Sequence, residues 1–394
     1  MRNGWTETTL GEVADIQKGK KPPEVDVFVP LSKPYLTADV LRGATCEQFI
    51  SDVLAGSCIH LSGHETVLLW DGAGAGDVFK SQPGILASTM AKVQSKSISV
   101  IVDGYLYLYL DSKRVEIKSS CRGTTVPHVS PEALKSLSFF LPPLAEQKRI
   151  VDVVSSVDAY INALQQQVDT ARTSRSAVLH ELLSAGGDDW TETTLGEISD
   201  TRLGKMLSAT TDDGSGALHP YLRNANVRWG EVDLSDLKEM RFSQKDCETF
   251  SLLAGDLLIC EGGEPGRTAL LKKDLPGIYF QKAIHRVRCK QGLEPEFLEY
   301  WMHHLTVSGM LDDFLTSTTI QHLTGEKLRQ LPVLLPSLDE QHRIVNAVSS
   351  IDEVIQSTEQ AVFNAKTLRS GLLSDLLSGE HEIPASYDSL LGAA

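Results

Sequence analysis

The chain has 394 residues, 41% of them hydrophobic and 23% charged, which is typical of a globular protein with more than one domain. Its net charge is −15 and most of the acidic excess follows residue 187, so tight binding of DNA by the chain alone is disfavoured. No apolar run approaches the roughly 20 residues of a membrane span, and six scattered cysteines without paired spacing favour free thiols in a reducing cytoplasm.

An internal repeat organises the chain. The segment Trp-Thr-Glu-Thr-Thr-Leu-Gly-Glu at residues 5–12 returns unchanged at 190–197. Leu-Pro-Pro-Leu-Ala-Glu-Gln-Lys-Arg-Ile at 141–150 returns as Leu-Pro-Ser-Leu-Asp-Glu-Gln-His-Arg-Ile at 335–344. The stretches between these anchors match poorly, so two similar frames hold different inserts, as the reading of two different targets would require.

The repeat predicts the domain boundaries. We expect a first variable domain at residues 1–140, a helical segment at 141–186, a second variable domain at 187–334 and a second helical segment at 335–380. A tail at 381–394 is rich in Ala and Ser, and the sequence leaves its order open.

Each insert is predicted to be a mixed α/β domain. Strand-like runs lie at residues 66–70 and 105–110 in the first insert and at 256–260 and 278–280 in the second. A glycine-rich segment follows the first of these runs in each insert, at 71–77 and 261–267. Neither segment has the spacing of a dinucleotide or nucleotide loop, so a structural turn is favoured over contact with a DNA backbone.

A long helix follows each insert. Apolar residues recur at alternating steps of four and three, which is the 3.5-residue period of a coiled coil. The predicted seam consists of Ile150, Val154, Val157, Ile161, Leu164 and Val168 in the first copy and Ile344, Val348, Ile351, Ile355 and Val362 in the second. Because the chain runs domain, helix, domain, helix, a pseudo-two-fold arrangement makes the two helices an antiparallel pair, with the end of the second helix near the start of the first domain. The alternative is two amphipathic helices, each lying on its own domain.

Arginine interrupts this seam at the same place in both copies, at Arg175 and Arg369. Such a residue either fixes the register of the paired helices or extends to solvent from a frayed end. The sequence does not decide between the two.

Candidate DNA contacts are chosen for charge and for proximity to the glycine-rich segments. Hydroxyl and histidine side chains also recur at matching positions before each long helix, where they suit contacts to phosphates or base edges. The alternative for these is a capped turn that leads into a short helix at 131–136 or 325–330. The candidates are Lys18, Lys20, Lys21, Thr124 and His128 in the first half and Arg202, Lys205, Arg223, Arg228, Arg267, Lys272, Lys273, Thr318 and His322 in the second.

Catalytic motifs do not appear in the sequence. The chain lacks a Gly-x-Ser-x-Gly elbow, a His-Glu-x-x-His helix and a phosphate-binding loop, and Leu141-Pro142-Pro143-Leu144 lacks the polar residue of an amino-methyltransferase motif. His303 and His304 lie in an aromatic, helical segment and are interpreted as surface or core residues. We therefore predict no catalytic residue and no metal ligand.

The ordered duplication resembles the specificity subunit of type I restriction–modification systems. The resemblance rests on Trp-x-x-x-x-Leu-Gly-Glu at the start of each variable domain and on Leu-Pro-x-Leu-x-Glu-Gln-x-Arg-Ile at the start of each long helix. The matching helix ends, Arg-Ser at 175–176 and 369–370 and Leu-Leu-Ser at 182–184 and 376–378, belong to the same pattern. Only the tail after Gly379 falls outside it.

This resemblance implies a function in DNA recognition without catalysis. Two target-recognition domains would each read one half of a bipartite site in double-stranded DNA, and the coiled coil would set the spacer and dock two methyltransferase subunits. Those subunits would hold S-adenosylmethionine and methylate adenine N6, while restriction subunits would use ATP and Mg²⁺; this chain itself would bind no cofactor and no membrane. The cytoplasm is the expected location. The main alternative is a coiled-coil scaffold or adaptor without a role at DNA, and a fragment of a self-contained restriction–methyltransferase enzyme is a further one.

Overall fold

The computed structural model describes residues 4–22, 32–51, 55–123, 126–184, 186, 189–206, 216–316 and 321–391. Thr124 and Thr318, two of the predicted DNA contacts, lie outside these ranges. The chain divides into a first unit, residues 1–165 with 360–394, and a second unit, residues 166–359. Each unit therefore contains a sheet-rich insert, the first half of one long helix and the last half of the other.

The elements up to the end of the first long helix alternate short strands with short helices. The strands are β1 (Thr6–Thr9), β2 (Ala14–Lys18), β3 (Ser32–Leu36), β4 (Phe49–Ser51), β5 (His60–Ser62), β6 (Thr66–Leu69), β7 (Val78–Lys80), β8 (Pro83–Leu86), β9 (Met90–Ser95) and β10 (Ser138–Leu141). The helices are α1 (Leu10–Val13), α2 (Ala38–Leu41), α3 (Asp103–Ser112), α4 (Arg114–Ser119), α5 (Pro131–Lys135) and the long helix α6 (Leu144–Ser184).

The rest of the chain follows a similar order. Its strands are β11 (Thr191–Thr194), β12 (Ser199–Leu203), β13 (Ala217–Leu222), β14 (Val227–Arg228), β15 (Glu231–Val232), β16 (Lys238–Phe242), β17 (Asp256–Cys260), β18 (Thr268–Leu270), β19 (Tyr279–Phe280), β20 (Ile284–Cys289) and β21 (Pro332–Leu335). Its helices are α7 (Leu195–Ile198), α8 (Gln244–Thr249), α9 (Pro295–Val307), α10 (Gly325–Arg329), the long helix α11 (Leu338–Ser378) and α12 (Asp388–Leu391).

The two inserts share a sheet topology although their sequences match poorly. The first contains a four-stranded sheet in the order β2-β9-β6-β7, and the second contains one in the corresponding order β12-β20-β17-β18. The strand containing Tyr35 pairs in parallel with β8, and the strand containing Tyr221 pairs in parallel with β19. The same fold therefore carries both inserts, which are mixed α/β domains as predicted.

The repeated segment at residues 5–12 and 190–197 folds the same way twice. In each copy a short strand, β1 or β11, pairs antiparallel with the strand that precedes the long helix, β10 or β21. The strand then enters a one-turn helix closed by a capping box, in which the Glu12 carboxylate accepts from the Thr9 amide at 2.8 Å and the Glu197 carboxylate accepts from the Thr194 amide at 3.2 Å. The repeat thus encodes the entry to each domain.

The long helices pack against each other as an antiparallel pair. In the first unit Ile150 and Val154 of α6 share a core with Leu373 and Leu376 of α11. In the second unit Ile344 and Val348 of α11 share a core with Leu179 and Leu183 of α6. The start of one helix thus meets the end of the other within each unit, which confirms the predicted antiparallel coiled coil.

The end of α11 lies beside the start of the first domain, as the repeat predicts. A Cβ atom on Gly379 would lie 3.4 Å from the Trp5 ring, and the Trp5 indole donates to Glu146 at 3.0 Å. The tail then returns along α6: Ile383 is buried, Arg149 binds Asp388 through two bonds of 2.7 Å, and Tyr387 donates to Asp152 at 2.5 Å. Through Asp388 the tail is therefore packed on the first unit.

One predicted strand is a helix. Residues 105–110 form the middle of α3, where Tyr105, Leu106, Leu108 and Tyr109 are all buried. The alternation of Tyr and Leu suggested a strand, but both residue types are apolar enough to be buried, so the alternation did not mark two different faces. The predicted strands at 66–70 and 256–260 are confirmed as β6 and β17, and His303 and His304 lie in α9 as expected.

Candidate nucleic-acid interface

Several predicted contacts of the first insert converge at one end of its four-stranded sheet. β2 and β6 end there and β9 begins there, and we call this the turn end of the first sheet. Lys18 forms an ion pair with Asp71 at 2.7 Å, and Asp71 also forms a β-bridge with His128. The segment around His128 is bound to the glycine-rich segment because the Gly72 amide donates to the Pro127 carbonyl at 2.9 Å. The sequence motifs are therefore neighbours in space.

The second insert repeats this arrangement. Lys205 forms a β-bridge with Gln281, and Gly262 forms one with His322, at the equivalent end of β12, β17 and β20. The Leu323 amide donates to the Glu261 carbonyl at 2.8 Å. Burial raises the pKa of Glu261, although Lys282 and His322 act in the opposite direction. We call this the turn end of the second sheet.

A Gly-Lys pair occupies the same place at both turn ends. A Cβ atom on Gly19 would lie 2.0 Å from the Ala87 carbonyl oxygen, and one on Gly204 would lie 2.3 Å from the Gln281 carbonyl oxygen. Only glycine allows the two backbones to approach so closely. Lys20, which follows the first of these glycines, is exposed. The close backbone contact at each glycine therefore fixes the backbone position of the lysine that follows it.

The lysine in the second domain is committed to internal contacts. Lys205 donates to the Arg241 carbonyl at 2.7 Å and to Asp246 at 2.8 Å, and its ammonium group lies 5.1 Å from the centre of the Phe242 ring. Burial acts to raise the pKa of Asp246, but Lys205 and the Ser243 bonds outweigh it and leave that pKa below its usual value. At equivalent positions, Lys20 of the first domain forms no ion pair with a described residue, whereas the charge of Lys205 in the second domain is neutralised by Asp246.

The glycine-rich segments are structural turns. In the first, the Gly76 amide donates to the Leu69 carbonyl at 2.8 Å and the Asp77 amide to the Gly74 carbonyl at 3.0 Å. In the second, the Gly266 amide donates to the Cys260 carbonyl at 3.0 Å. Since these amides are already bonded, they do not form a cradle for a phosphate group. The turn interpretation from the sequence is therefore favoured.

Three of the predicted arginines hold loops of the second domain. Arg223 pairs with Asp236 at 2.7 Å, and Arg228 pairs with Asp233 at 2.7 Å. Arg267 pairs with Glu264 at 2.8 Å and also donates to the Asn224 carbonyl at 2.8 Å, with its side chain only 21% exposed. Contacts of these arginines to DNA would have to compete with the bonds they already make.

Other predicted cations are exposed and form no ion pair with any residue that the structure describes. They lie just after β2, on the edge strand β12 and in the loop that follows β18. These residues are Lys20, Lys21, Arg202, Lys272 and Lys273. Their charged groups are available to an external anion, so they are the stronger candidates for phosphate contacts.

The sequence did not reveal that one buried glutamine positions each insert on its long helix, Gln147 in the first half and Gln341 in the second. Gln147 and Gln341 have no exposed surface, and each makes three bonds to backbone atoms. The Gln147 amide nitrogen donates to Val100 and Pro142, both at 2.9 Å, and its oxygen accepts from the Val102 amide at 2.9 Å. The signal was present, because both glutamines stand in the repeated Glu-Gln of residues 146–147 and 340–341.

The second glutamine reproduces the pattern of the first. Gln341 accepts from the Glu294 amide at 2.8 Å and donates to the Gly292 and Pro336 carbonyls at 3.0 and 2.9 Å. Val102 and Glu294 are the residues that precede α3 and α9. Gln147 thus ties the start of α6 to the start of α3, and Gln341 ties the start of α11 to the start of α9.

Neither a metal site nor a membrane helix is found in the described ranges. No three His, Cys, Asp or Glu side chains come together there in a way that could hold a metal ion. No described helix combines the length and apolar character needed to cross a membrane.

Comparison with known proteins identifies similar chains over nearly the whole length. The family model described as "Type I restriction modification DNA specificity domain" matches residues 2–170 and 187–362. The Type I restriction enzyme MjaVIII specificity subunit of Methanocaldococcus jannaschii is 26% identical, with 95% of this chain and 92% of that protein aligned. The Type I restriction enzyme EcoBI specificity subunit of Escherichia coli is 23% identical, with 96% and 85% aligned.

Solved structures share the fold at lower identity. The S subunit of a type I restriction–modification system from M. genitalium has a TM-score of 0.57 at 16% identity, with 96% of this chain and 97% of that chain covered. A chain from work on complex assembly and conformational transition of the type I R-M system has a TM-score of 0.62 at 18% identity, with 96% and 98% covered. Two mixed α/β domains and two long helices are thus a shared architecture.

Proposed function

The chain belongs to the type I restriction modification DNA specificity family, whose members are non-catalytic recognition subunits, and we propose that each of its two domains reads one half of a bipartite site in double-stranded DNA. The observation that carries this proposal is the duplication of one sheet topology around different residues. A shared frame presents each domain to DNA in the same way, while the different loops at the turn ends select different bases.

Phosphate contacts would come first from the exposed cations. Lys20 and Lys21 lie at the turn end of the first sheet, and Arg202 lies on an edge strand of the second. Lys272 and Lys273 form an adjacent basic pair on the second domain. Contacts of this kind fix the register of a protein on DNA without reading its sequence.

Base contacts would come from the neighbouring polar groups. His128 is exposed at the first turn end, and His322 is half-buried at the second. Imidazole and hydroxyl groups can pair with base edges in the major groove, so these histidines with Thr124 and Thr318 are the proposed base-reading set. Lys18, Lys205, Arg223, Arg228 and Arg267 are proposed to support the loops that carry it.

The long helices would set the spacer between the two half-sites. Each has 41 residues and is about 60 Å long at 1.5 Å per residue. One turn of B-DNA rises about 34 Å, so helices of this length suit half-sites that are separated by about one turn.

The acidic charge of the chain supports a role inside a larger assembly. With a net charge of −15 the chain by itself would repel DNA at long range. We propose that two methyltransferase subunits dock on the helices, complete the grip on DNA and methylate adenine N6 with S-adenosylmethionine. Restriction subunits would add ATP- and Mg²⁺-dependent cleavage of unmodified DNA.

The direct test is single-molecule methylation sequencing of host DNA with and without this gene. We expect a bipartite adenine-methylation motif that disappears on deletion and returns when the gene is supplied. Exchange of residues 1–140 for the matching domain of a relative should then change one half-site and leave the other intact. A change in both half-sites, or loss of the chain with no change in methylation while the methyltransferase subunits are expressed, would contradict the proposal.

The spacer has its own test. Insertion of seven residues into both α6 and α11 keeps the phase of the seam and lengthens each helix by about 10 Å. We expect a longer preferred spacer with both half-sites unchanged. An unchanged spacer would remove the helices from this role.

A further inference from the structure

The arginines that interrupt the helical seam are both bound by aspartates of the opposite helix. In the second unit Arg175 binds Asp352 through Nε and through Nη2, the latter at 3.1 Å. In the first unit Arg369 binds Asp158 through Nε and through Nη2, the latter at 3.2 Å. Each guanidinium thus makes a two-bond contact to one carboxylate, which fixes its direction as well as its distance.

Neither arginine extends to solvent from a frayed end. The Arg175 and Arg369 side chains are 21% and 17% exposed. Burial acts to lower both arginine pKa values, but the aspartates outweigh it and raise them. The structure therefore decides between the two interpretations left open by the sequence: these residues are internal partners of the helix pair.

Each pair also contacts a helix of its insert, α9 in the second unit and α3 in the first. The Arg175 guanidinium lies 5.4 Å from the centre of the Tyr300 ring, and the Tyr300 hydroxyl donates to Asp352 at 3.2 Å. Arg369 donates to Asp111 at 3.1 Å. Since Tyr300 belongs to α9 and Asp111 to α3, each pair joins three helices. We call these two contacts the Arg–Asp junctions.

The spacing of the charged residues allows both junctions in only one alignment. On each helix the aspartate precedes the arginine by 17 residues, at 158 and 175 on α6 and at 352 and 369 on α11. With equal spacing on antiparallel helices, both arginines meet both aspartates at a single register. A parallel arrangement in the same register would instead oppose Arg to Arg and Asp to Asp.

The apolar seam alone is less selective. A heptad pattern repeats after seven residues, so a slip of one heptad, about 10 Å, again places apolar residues opposite one another. The same slip would separate both arginines from their aspartates and leave partly buried charges without partners, which is strongly unfavourable. The junctions therefore exclude the alignments that the seam permits.

We propose that the two Arg–Asp junctions select the register of α6 and α11 and hold each insert at a fixed angle on the helices. Resting on the proposed function, this makes Arg175, Asp352, Arg369 and Asp158 positioning residues that determine which spacer lengths are accepted. They act through the helices and make no contact with DNA. Half-site sequence is left to the inserts.

The second unit suits a charge-reversal test because the hydroxyl of its third partner, Tyr300, can donate to a carboxylate or accept from a guanidinium. Arg175→Asp, Asp352→Arg and the combined reversal form a double-mutant cycle in the full-length chain. Arg172 and Glu359 supply the matched control, since they pair across the same helices at 2.6 Å but are 61% and 45% exposed. Arg172→Glu, Glu359→Arg and their combination place the same charges at the surface.

Register is measured directly, without DNA. Spin labels are introduced with an unnatural amino acid at the exposed Ser176 on α6 and Ser350 on α11. We expect one narrow distance distribution in the parent chain, a broadened or shifted one in each single reversal, and recovery in the combined reversal. Hydrogen exchange measures the opening equilibrium of the helix amides. We expect the opening constant to rise about 100-fold or more above the parent value in each single reversal and to return to within about tenfold of it in the combined reversal.

Two results would overturn the register proposal. One is a distance distribution in the single reversals that matches the parent. The other is a loss of stability equal to that of the exposed control, because an ordinary surface pair contributes little.

The spacer role is tested separately in the complex with the methyltransferase subunits. Methylation rates are compared on DNA whose spacer is one base pair shorter, unchanged or longer. We expect Arg175→Asp to reduce the preference for the native spacer by about tenfold while both half-sites stay the same, with recovery in the combined reversal. An altered register with an unchanged spacer preference would overturn the spacer role alone. Failure of the parent complex to methylate any bipartite site would contradict the proposed function and leave the distance result standing.

Discussion

Glu299 is expected to make the second unit less stable at neutral pH than at mildly acidic pH. It lies on α9 with its carboxylate against the edge of β18, where it accepts from the Leu270 amide at 2.8 Å. Burial raises the Glu299 pKa from its ordinary value of 4.5 to about 7, although the Leu270 bond and Lys272 act in the opposite direction. The folded state therefore retains a proton that the unfolded chain has already lost.

The sign of the effect follows from proton binding in the two states. Below pH 4.5 both states carry the proton, and this group leaves the free energy of unfolding unchanged. Between about pH 4.5 and 7 only the folded state is protonated, so the free energy of unfolding falls as pH rises. A pKa difference of about 2.5 units amounts to at most about 3 kcal/mol, which is fully lost above pH 7.

Glu299→Gln is the perturbation that isolates this term. The amide oxygen of glutamine can still accept from the Leu270 amide, but the side chain has no charge to desolvate. We expect the variant to be more stable than the parent by up to about 3 kcal/mol at pH 8 and nearly equal to it at pH 4.5. The exposed Glu296→Gln on the same helix is the matched control and should show no such difference.

Native-state hydrogen exchange is the suitable assay because it resolves the two units. Opening free energies are measured for peptides that cover residues 268–305, with parent and variant compared at the same pH so that intrinsic exchange rates cancel. A parent and a Glu299→Gln variant that differ equally at pH 4.5 and pH 8 would refute the reasoning. Equal stabilisation by Glu296→Gln would refute it as well.

Three further predictions concern the glutamines, the tail and the exposed cations. Gln341→Leu leaves three backbone groups without partners and should lower the free energy of unfolding of the second unit by about 3 kcal/mol or more, measured by the same exchange experiment. The exposed Gln356→Leu is the control. A loss of stability below about 1 kcal/mol in Gln341→Leu would contradict the assigned role. Arg149→Ala removes the bonds to Asp388 and Ile383, so a protease should cleave the tail faster in this variant than in the parent. Arg343→Ala is the control and should be cleaved at the parent rate. Equal rates in Arg149→Ala and the parent would show that the packing of the tail does not depend on this contact. The double variant Lys272→Ala/Lys273→Ala should reduce the slope of log binding constant against log salt concentration by about two for DNA binding by the assembled complex. Lys238→Ala, which removes a partner of Asp236, is the control and should leave the slope unchanged. An unaltered slope in the double variant would remove both lysines from the phosphate contacts.

The helices and the repeat were predictable from the sequence because their signals are periodic. The seam from Ile150 and Ile344 has a period that only a coiled coil shares, and duplication doubled the evidence for it. The strands at 66–70 and 256–260 were predictable because each is a short, continuous apolar run bounded by glycine. These features depend on residues that are close together in the chain.

The features that escaped prediction depend on residues that are far apart. Alternating Tyr and Leu at 105–110 could not reveal a helix, because both of its faces are buried by other parts of the fold. Alignment of this segment with α9 of the second half would have corrected the error, since Tyr105 and Tyr109 correspond to Phe297 and Trp301. The bonds of Arg223 to the Asp236 carboxylate and of Arg267 to the Asn224 backbone carbonyl were equally hidden, because these partners meet only through the fold of the second domain.

The contacts between the constant helices and the variable inserts explain how the inserts can differ so much. Gln147 bonds to the backbone of Val100 and Val102, and Gln341 bonds to the backbone of Gly292 and Glu294. Backbone amides and carbonyls are present whatever side chains an insert carries. The close approaches at Gly19 and Gly204 likewise involve backbone carbonyl oxygens, those of the residues that directly follow β8 and β19. An insert can therefore change the side chains at its turn end, and with them its proposed half-site, while it keeps the bonds that seat it on the helices.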